Sequence, residues 1–71
     1  MMPQPGQLYK HYKGSVYQIL YLGLHTETLE EMVVYKAVDK DQVWVRPLTM
    51  WNDIVEVQGQ KVLRFTLLKT I

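Results

Sequence analysis

The chain has 71 residues, 48% of them hydrophobic, which leaves room for one core and for burial of only roughly 60% of the surface exposed when unfolded. It contains no cysteine, so disulfide staples, thiolate zinc sites and cysteine nucleophiles are excluded. Eight Lys and Arg against seven Asp and Glu give a formal net charge of +1, too weak a field to collect nucleic acid or anionic lipid without a local patch.

The first six residues, Met1-Met2-Pro3-Gln4-Pro5-Gly6, carry two prolines, a glycine and no periodic pattern. They read as a flexible lead-in, residues 1–6, ahead of a single small domain over residues 7–71. They lack the basic and long apolar regions of a secretory signal, and no stretch reaches the about 18 apolar residues of a membrane span. The expected location is therefore the cytoplasm. From Gln7 to Tyr12 a short aromatic run is expected to form a strand, with Lys13-Gly14 as the turn after it. Ser15 to Leu24 continues as a long strand, with Val16, Leu20, Leu22 and Leu24 on one side and Tyr17, Ile19 and Tyr21 on the other. Gly23 is the expected position of a bulge or bend.

The polar string His25-Thr26-Glu27-Thr28-Leu29-Glu30 interrupts this pattern and reads as a loop, with a helix from Thr26 to Met32 as the competing assignment. Glu31 to Val38 resumes the strand pattern, and the β-branched pair Val33-Val34 favours strand over helix. Asp39-Lys40-Asp41-Gln42 is a charged turn. Val43-Trp44-Val45-Arg46 then alternates, Val43 and Val45 on one face, Trp44 and Arg46 on the other, until Pro47, which has no amide hydrogen, ends the strand. Leu48, Trp51 and Ile54 recur every three residues, which predicts a short 3₁₀ or helical turn near residues 48–53. Ile54–Val57 and Lys61–Leu67 read as a closing hairpin around Gln58-Gly59-Gln60, with Leu63, Phe65 and Leu67 on one side of its second arm.

Together these elements predict an all-β protein: five to six short strands in a strongly bent SH3-like barrel, with one short helical turn. Closure would remove exposed strand edges. An open five-stranded α+β sheet is the competing architecture. The expected core is Val16, Leu20, Leu22, Met32, Val34, Val43, Val45, Leu63 and Phe65.

Four strings occur in a characteristic order: Tyr9-Lys10-His11-Tyr12-Lys13-Gly14, His25-Thr26-Glu27-Thr28-Leu29-Glu30, Val34-Tyr35, and Trp44-Val45-Arg46-Pro47-Leu48 followed by Met50. They resemble a family of short bacterial domains of unknown function, number 1653 in that series, from about Gly6 to Phe65. Trp51 stands where that family more usually has phenylalanine, and its following acidic segment is only partly kept, as Asn52-Asp53. The resemblance implies a small all-β domain, found alone or attached to other bacterial domains, and implies no activity.

Candidate chemistry falls into three groups. His25, Thr26, Glu27, Thr28 and Glu30 bring a histidine and two carboxylates together, the groups that ligate divalent metals or exchange protons near neutrality. Their spacing matches no standard ligand motif, and a solvated loop held by threonine hydrogen bonds is the simpler account. Arg46 has a donor fork suited to carboxylate or phosphate; the competing account is an ion pair with Glu27, Glu30 or Glu56. Tyr9, Tyr12, Tyr35, Trp44 and Trp51 interleave with Lys10, His11, Lys13 and Lys36, a mixture that small barrels present to peptides or stack on bases, and that short chains also use to fill a core. No phosphate loop, serine elbow, paired-histidine helix or basic run is present.

The functional expectation is a non-catalytic binding or accessory module that offers an aromatic and arginine-containing surface, Tyr12, His25, Thr26, Glu27, Glu30, Tyr35, Trp44 and Arg46, to a peptide or nucleotide-like ligand. The alternative is a small metal- or acid/base-dependent hydrolase centred on His25, Glu27 and Glu30. No cofactor is expected. The expected partner is a protein, a peptide or a small anionic ligand, with no membrane association, and the chain itself is a monomer or a weak homodimer.

Overall fold

The computed structural model describes residues 2–70; Met1, at the start of the expected lead-in, and Ile71, at the end of the expected domain, lie outside them. Seven strands and one helical turn follow in chain order: β1 (Leu8–His11), β2 (Val16–Leu24), β3 (Glu31–Ala37), β4 (Val43–Pro47), α1 (Leu48–Trp51), β5 (Ile54–Val57), β6 (Gln60–Leu63) and β7 (Phe65–Lys69). The fold is all-β, and the expected helical turn is present as α1. The segment Thr26 to Met32 is not helical.

The barrel does not close. Strands β4-β3-β2-β1-β7 form an open five-stranded antiparallel sheet, while β5 and β6 pair only with each other. The expected second arm of the closing hairpin is two strands, because the chain bends at Arg64. Before the bend Leu63 pairs with Ile54, and after it Phe65 pairs with His11. Among the described residues no strand links β4 to β7, so the sheet keeps two edges, as in the competing open-sheet architecture. The β5–β6 turn holds two successive positive φ angles, Gln58 at 51° and Gly59 at 80°, as expected for the tight two-residue hairpin turns whose twist suits antiparallel strands.

In β3, β4 and the first part of β2 the core lies on the opposite face from the one alternation suggested, while Leu22, Phe65 and Leu67 face the core as expected. Tyr9, Ile19, Val33, Tyr35, Trp51 and Phe65 form the buried cluster, with Tyr17, Leu22, Leu48 and Leu67 packed against it. A register shift changes the face within β2. Ile19 lies opposite Tyr35, yet Tyr21 lies opposite Val34 and Leu22 opposite Val33, so Leu20 is an inserted residue and the strand changes face there. Ile19 and Leu22, three apart, therefore share the core side. Gly23, the expected bulge, pairs regularly with Met32. In β3 the core side is Val33, Tyr35 and Ala37, not Met32 and Val34; Val43, Val45 and Leu63 are exposed. Of the expected core, only Phe65 is buried, with Leu22 packed against the cluster.

Aromatic rings build this core. Trp51, carried inward by α1, stacks on Phe65 with ring centroids 3.8 Å apart and planes 3° from parallel. Tyr9 and Tyr35 meet Trp51 edge-on at 5.3 and 4.9 Å. Such pairs contribute about 0.5–1.5 kcal/mol each beyond their buried area, which lets a short chain stabilise a small core. At the start of the described chain, Pro3 is buried and the Gly6 N–H donates to the Ile19 carbonyl at 2.8 Å.

Candidate functional site

The strand register places cations on the aromatic side of the sheet. Val33 pairs with Arg46 and Tyr35 with Trp44, so Arg46 and Trp44 project on the face that carries the core. Arg46 is half-buried. Its Nε donates to the phenol oxygen of Tyr35 at 3.3 Å, and its guanidinium carbon lies 5.5 Å from the centre of the Phe65 ring. One donor is thereby committed to the protein and the plane is steadied over an aromatic face, while the terminal fork has no carboxylate within ion-pair distance among the described residues. The expected pairings with Glu27, Glu30 or Glu56 are not formed.

His11 and Arg64 join Arg46 around the same ring. His11 pairs across the β1–β7 ladder with Phe65, and its ring meets that of Phe65 edge-on at 5.1 Å. The His11 Nδ1 accepts the Lys13 backbone N–H at 3.1 Å, which closes the β1–β2 turn and leaves Nε2 as the protonated nitrogen of the neutral ring. Burial holds the imidazole below its ordinary pKa, and the neighbouring Arg64, Lys13 and Arg46 act in the same direction. Arg64 pairs loosely with Asp53 at 3.6 Å, and its Nε is buried with no partner among the described residues. Its backbone N–H donates to Asp53 O and its carbonyl accepts the Tyr12 N–H, each at 2.9 Å, so this residue is the pivot between the hairpin and the sheet. Three permanent cations and a histidine thus act on one aromatic cluster, and Asp53 is the one carboxylate paired there among the described residues.

The expected surface divides into two places. Tyr35 is buried, Trp44 is half-exposed beside it and Arg46 completes the group. Tyr12 lies at the other end of the cluster, exposed, with its ring tilted against His11 at 4.6 Å. His25, Thr26, Glu27 and Glu30 are exposed in the β2–β3 connection, beyond the row that pairs Leu24 with Glu31. There His25 Nδ1 accepts the N–H groups of Glu27 at 3.1 Å and Thr28 at 3.4 Å, and its backbone N–H donates to Glu30 O at 2.9 Å. The imidazole shapes the loop, in which Leu29 has a positive φ of 59°. Among the described residues no three His, Cys, Asp or Glu side chains converge to hold a metal.

Sequence reasoning named His11 only among the basic residues interleaved with the rings, and did not place Arg64 or Phe65 in the site. The signal was the pairing of β1 with β7, whose partners stand more than fifty residues apart, such as His11 and Phe65. A separate cavity of about 220 Å³, mostly apolar, lies at the far end of β2 and β3 between Met2, Leu22, Leu24, Met32 and Leu48. Among the described residues no helix is long and apolar enough to cross a membrane.

Comparison with known proteins agrees with the resemblance in the sequence. The model of a family described as protein of unknown function, DUF1653, matches residues 7–67. A crystal structure of a DUF1653 protein from Bordetella bronchiseptica superimposes with a TM-score of 0.83 at 32% identity, covering 97% of this chain and 91% of that one. No curated protein matches.

Proposed function

From the premise that this chain belongs to the DUF1653 family, whose description gives no activity, we propose that it is a non-catalytic binding module acting in the cytoplasm. Its aromatic and Arg46-containing surface takes a ligand with an anionic group, a peptide segment or a nucleotide-like molecule. The observation that supports this reading is Arg46 itself, half-buried, oriented by Tyr35 and Phe65, and without a carboxylate partner among the described residues. Removing a guanidinium from water is costly unless a counter-charge replaces the lost hydration, and an anion at the fork supplies it. Lys13 and Arg64 raise the positive potential around the same rings, as the depressed His11 pKa registers, and favour that anion further.

Titration calorimetry of the full chain with adenosine monophosphate, inorganic phosphate and an acidic peptide tests the reading. At least one probe is expected to bind, Arg46→Gln to weaken it about tenfold or more, and His25→Ala to change it less than about twofold. A stoichiometric divalent metal lost on His25→Ala would instead support the hydrolase alternative. Binding indifferent to Arg46 would end the proposal.

A further inference from the structure

The open sheet leaves β4 as an edge strand of five residues, and its charged side chain and its proline, Arg46 and Pro47, both stand at its last two positions. Natural sheets blunt an edge with lysine, a proline within the strand, a bulge or a covering element. The register of β4 against β3 runs without a bulge, and Pro47 comes only at its end. Its outer side makes no backbone hydrogen bond to another strand among the described residues. The three residues before Arg46 are apolar and exposed: Val43 at 44%, Trp44 at 51% and Val45 at 59%. A short row of free backbone donors and acceptors therefore runs along the strand that carries Arg46, whose guanidinium leans inward over Tyr35 and Phe65 and has no carboxylate partner among the described residues.

We propose that the free edge of β4 binds an extended peptide as a sixth strand of the main sheet, one that carries a carboxylate side chain opposite Arg46 and an apolar or aromatic side chain two residues away, opposite Trp44. The proposal rests on the reading of Arg46 as an anion site and names the partner of that site. Side chains two apart on an added strand share a face, so both contacts fall on the side where Arg46 and Trp44 project. The backbone bonds supply affinity, and the carboxylate and apolar group supply selectivity. A nucleotide would satisfy Arg46 but leave the backbone row unpaired.

A second copy of the chain fits less well. A two-fold axis that pairs β4 antiparallel with itself keeps each face on its own side, so residues of even number meet residues of even number. Successive registers set Arg46 against Lys40, Gln42, Trp44 or Arg46 of the second copy, and none of these is a carboxylate.

The test is titration of the full chain with a capped peptide of alternating valines that carries one glutamate and, two residues on, one tryptophan, the order an antiparallel strand sets opposite Arg46 and Trp44. Three comparisons follow: lysine in place of its glutamate, N-methylation of its backbone, and Arg46→Glu in the protein. The proposal expects losses of about tenfold or more for the lysine and N-methylated peptides, and a reversed preference, for lysine over glutamate, in Arg46→Glu. Equal binding of methylated and unmethylated peptides, with Arg46 still required, overturns the edge while the anion site stands. Indifference to Arg46 removes both. Binding of adenosine monophosphate through Arg46 with no peptide binding overturns the peptide, and a dimer broken by Trp44→Glu in sedimentation assigns the edge to a second copy. If Arg46→Glu does not fold, the methylation comparison on the native protein decides.

Discussion

The Nε of Arg46 and the phenol oxygen of Tyr35 lie 3.3 Å apart, joined across neighbouring strands. Tyr35 is buried, so its hydroxyl has little access to water and serves chiefly to hold the arginine. Tyr35→Phe is expected to cost about 1–2 kcal/mol in urea unfolding, and a double-mutant cycle with Arg46→Gln to give a coupling of about 1 kcal/mol. Additive effects would mean that the two residues act separately.

The face assignment makes a sharp contrast between two valines. Val33 is fully buried and Val45 mostly exposed, although alternation alone put Val45 in the core and Val33 outside the expected core set. Val33→Ala is expected to lose about 2 kcal/mol and Val45→Ala less than about 0.5 kcal/mol, read as shifts in the denaturation midpoint at constant slope. The reverse order would restore the alternating face.

This contrast also shows where sequence reading works. Element order was legible because Pro47, Gly59 and the polar run from His25 to Glu30 interrupt the chain at the right places. Faces were not. Met32-Val33-Val34-Tyr35 is apolar on both sides, so parity alone cannot orient β3, and the inserted Leu20 reverses β2 without any glycine to mark it. Openness was hidden because the bend at Arg64, which sends Phe65 to β1 instead of along the hairpin, interrupts an unbroken alternating run. In the site, Tyr35, Trp44 and Arg46 were found from their chemistry, while His11 and Arg64 reach it only through the distant pairing.

Acid is expected to weaken the fold through His11. Its folded pKa lies below the ordinary 6.5, through burial first and then Arg64, Lys13 and Arg46, so the unfolded chain binds the proton more readily. The contribution is present above pH 6.5 and falls as pH drops from there through the folded value. Urea midpoints measured from pH 7.5 to 5 are expected to decline, with a shallower decline in His11→Phe; an unchanged slope would remove His11 as the cause. Anion binding at the cluster is expected to raise the His11 pKa and to tighten as pH falls.

At the hairpin tip, Gly59 has a φ of 80° and a Cβ there would meet no atom within 4 Å. Gly59→Ala is therefore expected to cost about 1 kcal/mol from backbone conformation alone, and Gln58→Asn, better suited to its φ of 51°, to recover a few tenths, about 0.3 kcal/mol. Thermal unfolding of the two variants checks both signs.

The most direct measurement follows the side-chain Nε–H resonance of Arg46 by nitrogen-15 NMR during titration with the acidic peptide and with inorganic phosphate. The binding account predicts a saturating shift at Arg46, shared by Tyr35, Phe65 and His11, in at least one titration. Shifts confined to His25–Glu30, or an Arg46 resonance unmoved by either probe, would contradict it.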